Sequence, residues 1–87
     1  MSIHEEANKG DLSKYPLEEL RSRVNEQSAS GFTLLHEAVV AKPPNVNNIK
    51  LLLAISELNI NLQDGHGRTP LHHSNPSDIR LFINYSH

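Results

Sequence analysis

Six histidines in a chain of 87 residues are the first candidates for chemistry. Imidazole binds zinc and exchanges protons near neutral pH. The chain has no cysteine, so a tetrahedral zinc site would need several convergent histidines or carboxylates. His72 and His73 are neighbours whose side chains would point about 100° apart on a helix, so they cannot hold one ion together. A transient site of His66, His73 and Asp64 stays conceivable, but we expect no metal and no cofactor.

The residue patterns of other reaction classes are missing from the sequence. Gly65-His66-Gly67 is not followed by the residues of a phosphate-binding loop, and no Gly-x-Ser-x-Gly nucleophile motif occurs. The carboxylate pairs Glu5-Glu6 and Glu18-Glu19 are sequence neighbours, which is typical of solvated helix surfaces. We therefore predict that the protein is not an enzyme and has no catalytic residues.

Charge and hydropathy exclude further classes. Eight Lys and Arg stand against ten Asp and Glu, without the basic cluster that nucleic-acid binding requires. No apolar run is long enough to span a membrane, and the acidic start of the sequence does not resemble a signal peptide. We expect a cytoplasmic protein that binds neither nucleic acid nor membrane.

One stretch of sequence occurs twice, and it indicates how the chain is organised. Residues 64–72 read Asp-Gly-His-Gly-Arg-Thr-Pro-Leu-His, and residues 28–36 read Ser-Ala-Ser-Gly-Phe-Thr-Leu-Leu-His. In each copy, Asp or Ser followed three residues later by Gly is typical of a type I turn. The Thr that comes next favours a helix start, and Pro70 suits the first helical position. The pattern predicts a turn that leads into a helix, twice.

The repeated stretch resembles the ankyrin repeat, whose Thr-Pro-Leu-His signature recurs with a period of roughly 33 residues. Residues 69–72 match the signature fully, whereas residues 33–36 have Leu34 in place of Pro. The resemblance implies an all-α solenoid of paired antiparallel short helices with projecting hairpin loops. It also implies that His36 and His72 are structural, each bonding to the Thr of its turn and to the backbone of the adjoining hairpin.

We interpret residues 1–87 as a single domain with a partial repeat at 1–27, a full repeat at 28–63 and a trimmed repeat at 64–87. Caps, prolines and apolar spacing predict helices over residues 3 to 10, 14 to 24, 34 to 41, 46 to 56 and 70 to 74, and from residue 76, where Asn75 would be the cap. The apolar residues assigned to the core are Leu17, Leu20, Val24, Leu35, Ala38, Val39, Ile49, Leu52, Leu53, Ile79, Phe82 and Ile83.

The resemblance implies a function in protein–protein interaction, as an adaptor or a small inhibitor. Proteins of this family bind partners through the hairpin tips and the inner faces of the first helices. The corresponding residues of this sequence are Ser30, Phe32, Glu37, Val40, His66, Arg68 and His73. An alternative for Phe32 is that its ring only covers the neighbouring helix.

The last helix suggests a second possibility. Leu81 and Tyr85 lie four residues apart on a face that no following repeat would cover. A solenoid needs a polar outer face on its terminal repeats to stay soluble. These residues would therefore contact another chain, in a homo-oligomer or a larger assembly. The alternatives are that residues 84–87 fold back over them or that the apolar patch is too small to matter.

Overall fold

The computed structural model describes residues 2–74 and 76–85, except for the side chains of Ser77, Asp78, Asn84 and Tyr85. Within this part the chain forms α-helices and no strand, which confirms the predicted all-α class. The helices are α1 (Ile3–Lys9), α2 (Leu17–Arg23), α3 (Leu34–Val40), α4 (Val46–Leu53), α5 (Pro70–His73) and α6 (Pro76–Tyr85), with a short 3-10 helix at Leu12–Lys14.

Side-chain caps hold the starts of α1, α3 and α4, whereas α2 follows Pro16 and has no side-chain cap. The Ser2 side chain accepts from the Glu5 N–H, and Glu5 reaches back to complete a capping box before α1. Asn45 accepts from the Asn48 N–H at the start of α4. The predicted cap of α6, Asn75, lies outside the described residues.

Apart from α2, the helices form two layers of contacting helices that follow the order of the chain. We name α1, α3 and α5 the inner layer, in which α3 contacts both of the other helices. The outer layer consists of the 3-10 helix, α4 and α6, with α4 in the middle. Helices α3 and α4 join the layers by packing on each other. The core lies between the layers and consists of Ile3, Ala7, Leu12, Leu20, Val24, Leu34, Leu35, Ala38, Val39, Ile49, Leu52, Ile55, Leu58 and Phe82.

A buried amide joins the first two helix pairs. The Asn48 side-chain oxygen accepts from the Leu12 N–H at 2.9 Å. Its nitrogen donates to the carbonyls of Glu6, Ala7 and Gly10 at 3.0 to 3.2 Å. Asn48 thereby supplies polar partners for backbone groups at the C-terminal end of α1, where the Glu6 carbonyl also accepts from the Gly10 N–H at 2.8 Å.

The predicted start of α2 and the predicted end of α4 were wrong. A separate 3-10 turn precedes α2, so α2 begins at Leu17 rather than inside the turn before it. Leu17 is 58% exposed and not part of the core, whereas Leu12 takes a fully buried position. Pro16 acts as the residue before the helix, where its missing N–H costs nothing. Helix α4 ends at Leu53 and not at residue 56.

Helix α6 turns a different face to the core from the predicted one. Phe82 is buried as expected, but Ile79 and Ile83 are 37% and 64% exposed. Leu81, assigned to the outer face, is half-buried against the core. Helix α6 packs chiefly on α4, so only one of its apolar stripes is covered. The side chain of Tyr85 lies outside the described part of the chain.

No helix in the described ranges is long and apolar enough to cross a membrane.

Replacing Asn48 with Ala should lower the free energy of unfolding by about 2 to 3 kcal/mol, because several buried backbone groups lose their partner. Asn47→Ala is the matched control, since Asn47 is exposed on the same helix. Its effect should stay within about 0.5 kcal/mol. Chemical denaturation monitored by circular dichroism measures both, and equal effects would contradict the structural role of Asn48.

Candidate functional site

Two turns of nearly identical construction project from the helix layers. The first turn, residues 28–32, is closed by the Gly31 N–H donating to Ser28 at 2.8 Å and the Ser28 N–H donating to Phe32 at 2.9 Å. The second turn, residues 64–68, has the same bonds from Gly67 to Asp64 and from Asp64 to Arg68, at 3.0 and 2.8 Å. Both predicted turns are thus confirmed.

The two turns lie side by side in backbone contact. The Gly65 N–H donates to the Ser30 carbonyl at 2.9 Å, and the Gln27 side chain donates to the Gln63 carbonyl at 2.8 Å. Gly31 has a φ of +83°, and a Cβ at this position would lie 2.5 Å from the Gly65 nitrogen. Glycine at position 31 is therefore required by both its conformation and the close approach of the second turn.

His36 fastens the second turn to the inner layer. Its Nδ1 accepts from the Thr33 N–H at 3.2 Å, so the proton of a neutral ring is on Nε2. Nε2 then donates to the Arg68 carbonyl at 2.8 Å. This is the double role that the sequence predicts for this residue. Burial lowers the pKa of His36, although the Arg68 carbonyl favours the charged ring and opposes the shift.

His72 has only the first half of that arrangement. Its Nδ1 accepts from the Thr69 N–H at 3.0 Å, as predicted. The described part of the chain has no third turn, and no described carbonyl accepts from His72 Nε2. The ring is exposed, whereas that of His36 is buried. The expectation of two equivalent histidines was therefore wrong for His72.

The buried carboxylate of Asp64 organises the second turn from within. One oxygen accepts from the backbone N–H groups of His66 and Arg68 at 2.8 and 3.0 Å. The other lies 2.9 Å from His73 Nε2. The bond from the Arg68 N–H lowers the pKa of Asp64 most, and the contacts with His73 and His66 add to it, while burial opposes the shift. Asp64 is therefore ionised throughout the neutral range.

Three rings cluster beside this carboxylate. The Phe32 ring stacks on His36 with centroids 5.3 Å apart and lies 5.6 Å from His73. The two imidazoles meet edge to face at 5.7 Å. Phe32 is half-buried, so it covers the inner helix and also presents part of its ring to solvent.

The potential ligand atoms of His36, Asp64 and His73 lie within 4.8 Å of one another. His36 is poorly suited to a metal, because one ring nitrogen accepts from Thr33 and the other donates to the Arg68 carbonyl. One oxygen of Asp64 is likewise occupied by two backbone donors. Only the second oxygen of Asp64 and Nε2 of His73 face each other without such constraints. His66 contributes its backbone here and not its ring.

The structure brings part of the predicted binding set together. Ser30, His66 and Arg68 are exposed on the two turns, and Glu37, Val40 and His73 are half-buried on α3 and α5. Glu37 already accepts from the Asn8 side chain at 3.3 Å. Leu81 belongs to α6, which packs on α4 in the outer layer.

Sequence reasoning missed a trough at the C-terminal ends of the inner helices. One cavity of about 580 Å³ is lined by Asn8, Lys9, Val40, Ala41, Lys42 and Pro43. A second cavity of about 340 Å³ is lined by Val39, Val40, Ala41, Lys42, Pro44 and His73. The segment at residues 40–42 lines both cavities, and we name the two cavities together the trough. The Pro-Pro sequence of the loop was the available indication, because it stops α3 abruptly.

Comparisons of the chain with protein-family models, curated proteins and solved structures gave no match.

The depressed pKa of His36 makes stability depend on pH. The imidazole of an unfolded histidine has a pKa of about 6.5. Because the pKa of His36 is lower in the folded state, the stability gained from its neutral ring is complete above that pH. It is lost as the pH falls, by at most about 1.4 kcal/mol per pH unit. We expect His36→Gln to reduce the slope of the unfolding free energy against pH between pH 7.5 and 5.5, relative to the wild type. Urea denaturation at each pH measures this slope. The exposed His72→Gln is the control and should retain it; equal slopes in all three proteins would refute the assignment.

Proposed function

We propose that this protein is a non-enzymatic protein-binding module built from ankyrin-type helix pairs. The support for the fold type is the two-layer packing of short helices, together with turns that recur 36 residues apart with the same hydrogen bonds. The His36 bond from one helix to the next turn is what that architecture needs to join successive units. The division into units at 1–27, 28–63 and 64–87 follows from the same periodicity.

The observation that carries the binding function is the rigid placement of two exposed turn tips. The Gly65–Ser30 backbone bond and the His36–Arg68 bond fix the tips relative to α3. A surface that is ordered before binding loses little conformational entropy when a partner docks. Polar and charged side chains on such tips suit recognition rather than catalysis.

Phe32 and Arg68 are the strongest anchor candidates on this surface. Aromatic and arginine side chains contribute a large share of the energy in protein interfaces. The Arg68 backbone is held by Asp64 and His36, yet its side chain is exposed and makes no ion pair with any described residue. Phe32 offers part of its ring beside His73. A partner acting as the target of an adaptor or a small inhibitor would contact both.

The test is capture of a partner from native lysate by immobilised protein. The double variant Phe32→Ala with Arg68→Ala should capture at least about tenfold less partner than the wild type, as expected for the loss of two central contacts. Lys50→Ala with Arg80→Ala is the control, since both residues are exposed on outer-layer helices. Equal capture by both variants, with melting temperatures unchanged, would remove the turn surface from the function.

A second candidate function is assembly through the C-terminal end of the layers. Helices α5 and α6 close the inner and outer layers, and both expose apolar side chains. Leu71 is 47% exposed, and Ile79 and Ile83 are exposed as well. These three residues replace Leu81 and Tyr85 as the basis of the assembly proposal, because Leu81 is partly covered by the core. Covering the exposed residues with a second copy or another subunit would remove them from water.

Light scattering across a concentration series tests the assembly function. If the chain self-associates, its apparent mass should rise with concentration, and Leu71→Asp with Ile79→Asp should restore the monomer mass. Leu17→Asp serves as control, because Leu17 is an exposed leucine at the other end of the chain. A constant monomer mass for the wild type would exclude homo-oligomerisation.

A further inference from the structure

We propose that the trough at the C-terminal ends of α1 and α3 binds an extended acidic peptide segment of a partner protein, with an apolar side chain seated between acidic residues. The proposal rests on the proposed protein-binding function and specifies the chemistry of the partner. It adds a site that the turn tips and the predicted binding residues do not include, apart from Val40 and His73.

The shape of the trough fits an extended segment. Both compartments adjoin residues 40–42 at the end of α3; one extends to Asn8 and Lys9 on the α1 side, and the other extends to His73 on the α5 side. Neighbouring helices pack about 8 to 10 Å apart, so a path across the three inner helices is about 20 Å long. An extended chain covers that distance with about six residues.

The lining of the trough carries two lysines, while the carboxylates of Glu37 and Asp64 lie beside it, in contact with Asn8 and His73. The formal net charge of the protein is −2, yet no described Asp or Glu lines either compartment. Lys9 and Lys42 are exposed at the groove and make no ion pair with a described residue. By contrast, Lys14 is paired with Glu6, and Arg21 is paired with Glu57, whose pKa is lowered to about 2 by that contact.

The remaining lining selects a peptide rather than a small anion. Val40, Ala41 and Pro43 form an apolar patch next to the two lysines. The side-chain nitrogen of Asn8 is committed to Glu37, which leaves its side-chain oxygen, an acceptor for a peptide N–H, without a partner among the described residues. At the far end, Nε2 of His73 lies 2.9 Å from the buried Asp64 carboxylate, so a negative charge already lies beside this end of the trough. The acidic residues of the peptide are therefore expected near Lys9 and Lys42.

Selection from a displayed library of random eight-residue peptides on the immobilised full chain tests this proposal. Enriched peptides should carry two or more Asp or Glu around an apolar residue. The enriched sequences are then synthesised with a fluorescent label, and their affinities are measured by anisotropy. Lys9→Glu with Lys42→Glu should weaken binding by at least about tenfold, since attraction becomes repulsion. Raising the salt concentration should weaken wild-type binding in the same direction.

The matched control is Lys50→Glu with Arg80→Glu, which changes the net charge equally on outer-layer helices. It should leave affinity within about twofold, and circular dichroism verifies that both variants are folded. Enrichment without an acidic excess, absence of any binding peptide, or equal weakening by both variants would overturn the acidic-peptide site. So would equally tight binding of a single-stranded oligonucleotide, which would indicate a general anion site.

The experiments distinguish a failure of the proposed turn-tip surface from a failure of the acidic-peptide site. If acidic peptides bind through Lys9 and Lys42 while no protein is captured through the turn tips, only the tip surface is wrong. If proteins are captured through Phe32 and Arg68 but the lysine reversals change nothing, only the acidic-peptide site is wrong.

Discussion

The hydrogen bond from His36 to the Arg68 carbonyl is the constraint on which the proposed binding surface depends. It requires a neutral ring with its proton on Nε2, which the Thr33 N–H enforces from the other side. Because the donor is on α3 and the acceptor closes the second turn, one side chain joins the inner layer to a projecting loop. The loop keeps its position relative to the helices, and its exposed side chains keep theirs.

In this small fold, hydrogen bonds from buried polar side chains connect particular helices and turns to each other. A chain of this length buries only about 60 to 65% of its unfolded surface, so hydrophobic burial alone leaves the relative positions of short helices weakly fixed. Asn48 joins α4 to the end of α1, and His36 joins α3 to the second turn. Each satisfies backbone groups that a short helix or tight turn leaves without partners. Their geometry selects one packing among several that apolar contacts would tolerate.

The turns and the Thr-capped helices were predictable because their hydrogen bonds are local. Thr33 and His36 are three residues apart, and the same spacing recurs at Thr69 and His72. The role of Asn48 was not predictable, since the carbonyls that it satisfies lie 38 to 42 residues away. The prediction of which face of α6 is exposed was wrong for a similar reason. Spacing identifies two apolar stripes on this helix, but only packing on α4 decides which one is covered.

The two turns differ in a way that follows from their places in the chain. The first turn is braced by its successor, because Ser30 accepts from the Gly65 N–H of the second turn. Ser28 therefore needs only a single side-chain bond, to the Ser30 N–H at 3.3 Å. The second turn has no described successor, and at the matching position Asp64 binds two backbone N–H groups and His73. A carboxylate has enough acceptor sites to hold the turn from inside, which a hydroxyl does not. Asp64 thus adds hydrogen bonds within its own unit to those that the second turn shares with the first turn and with His36.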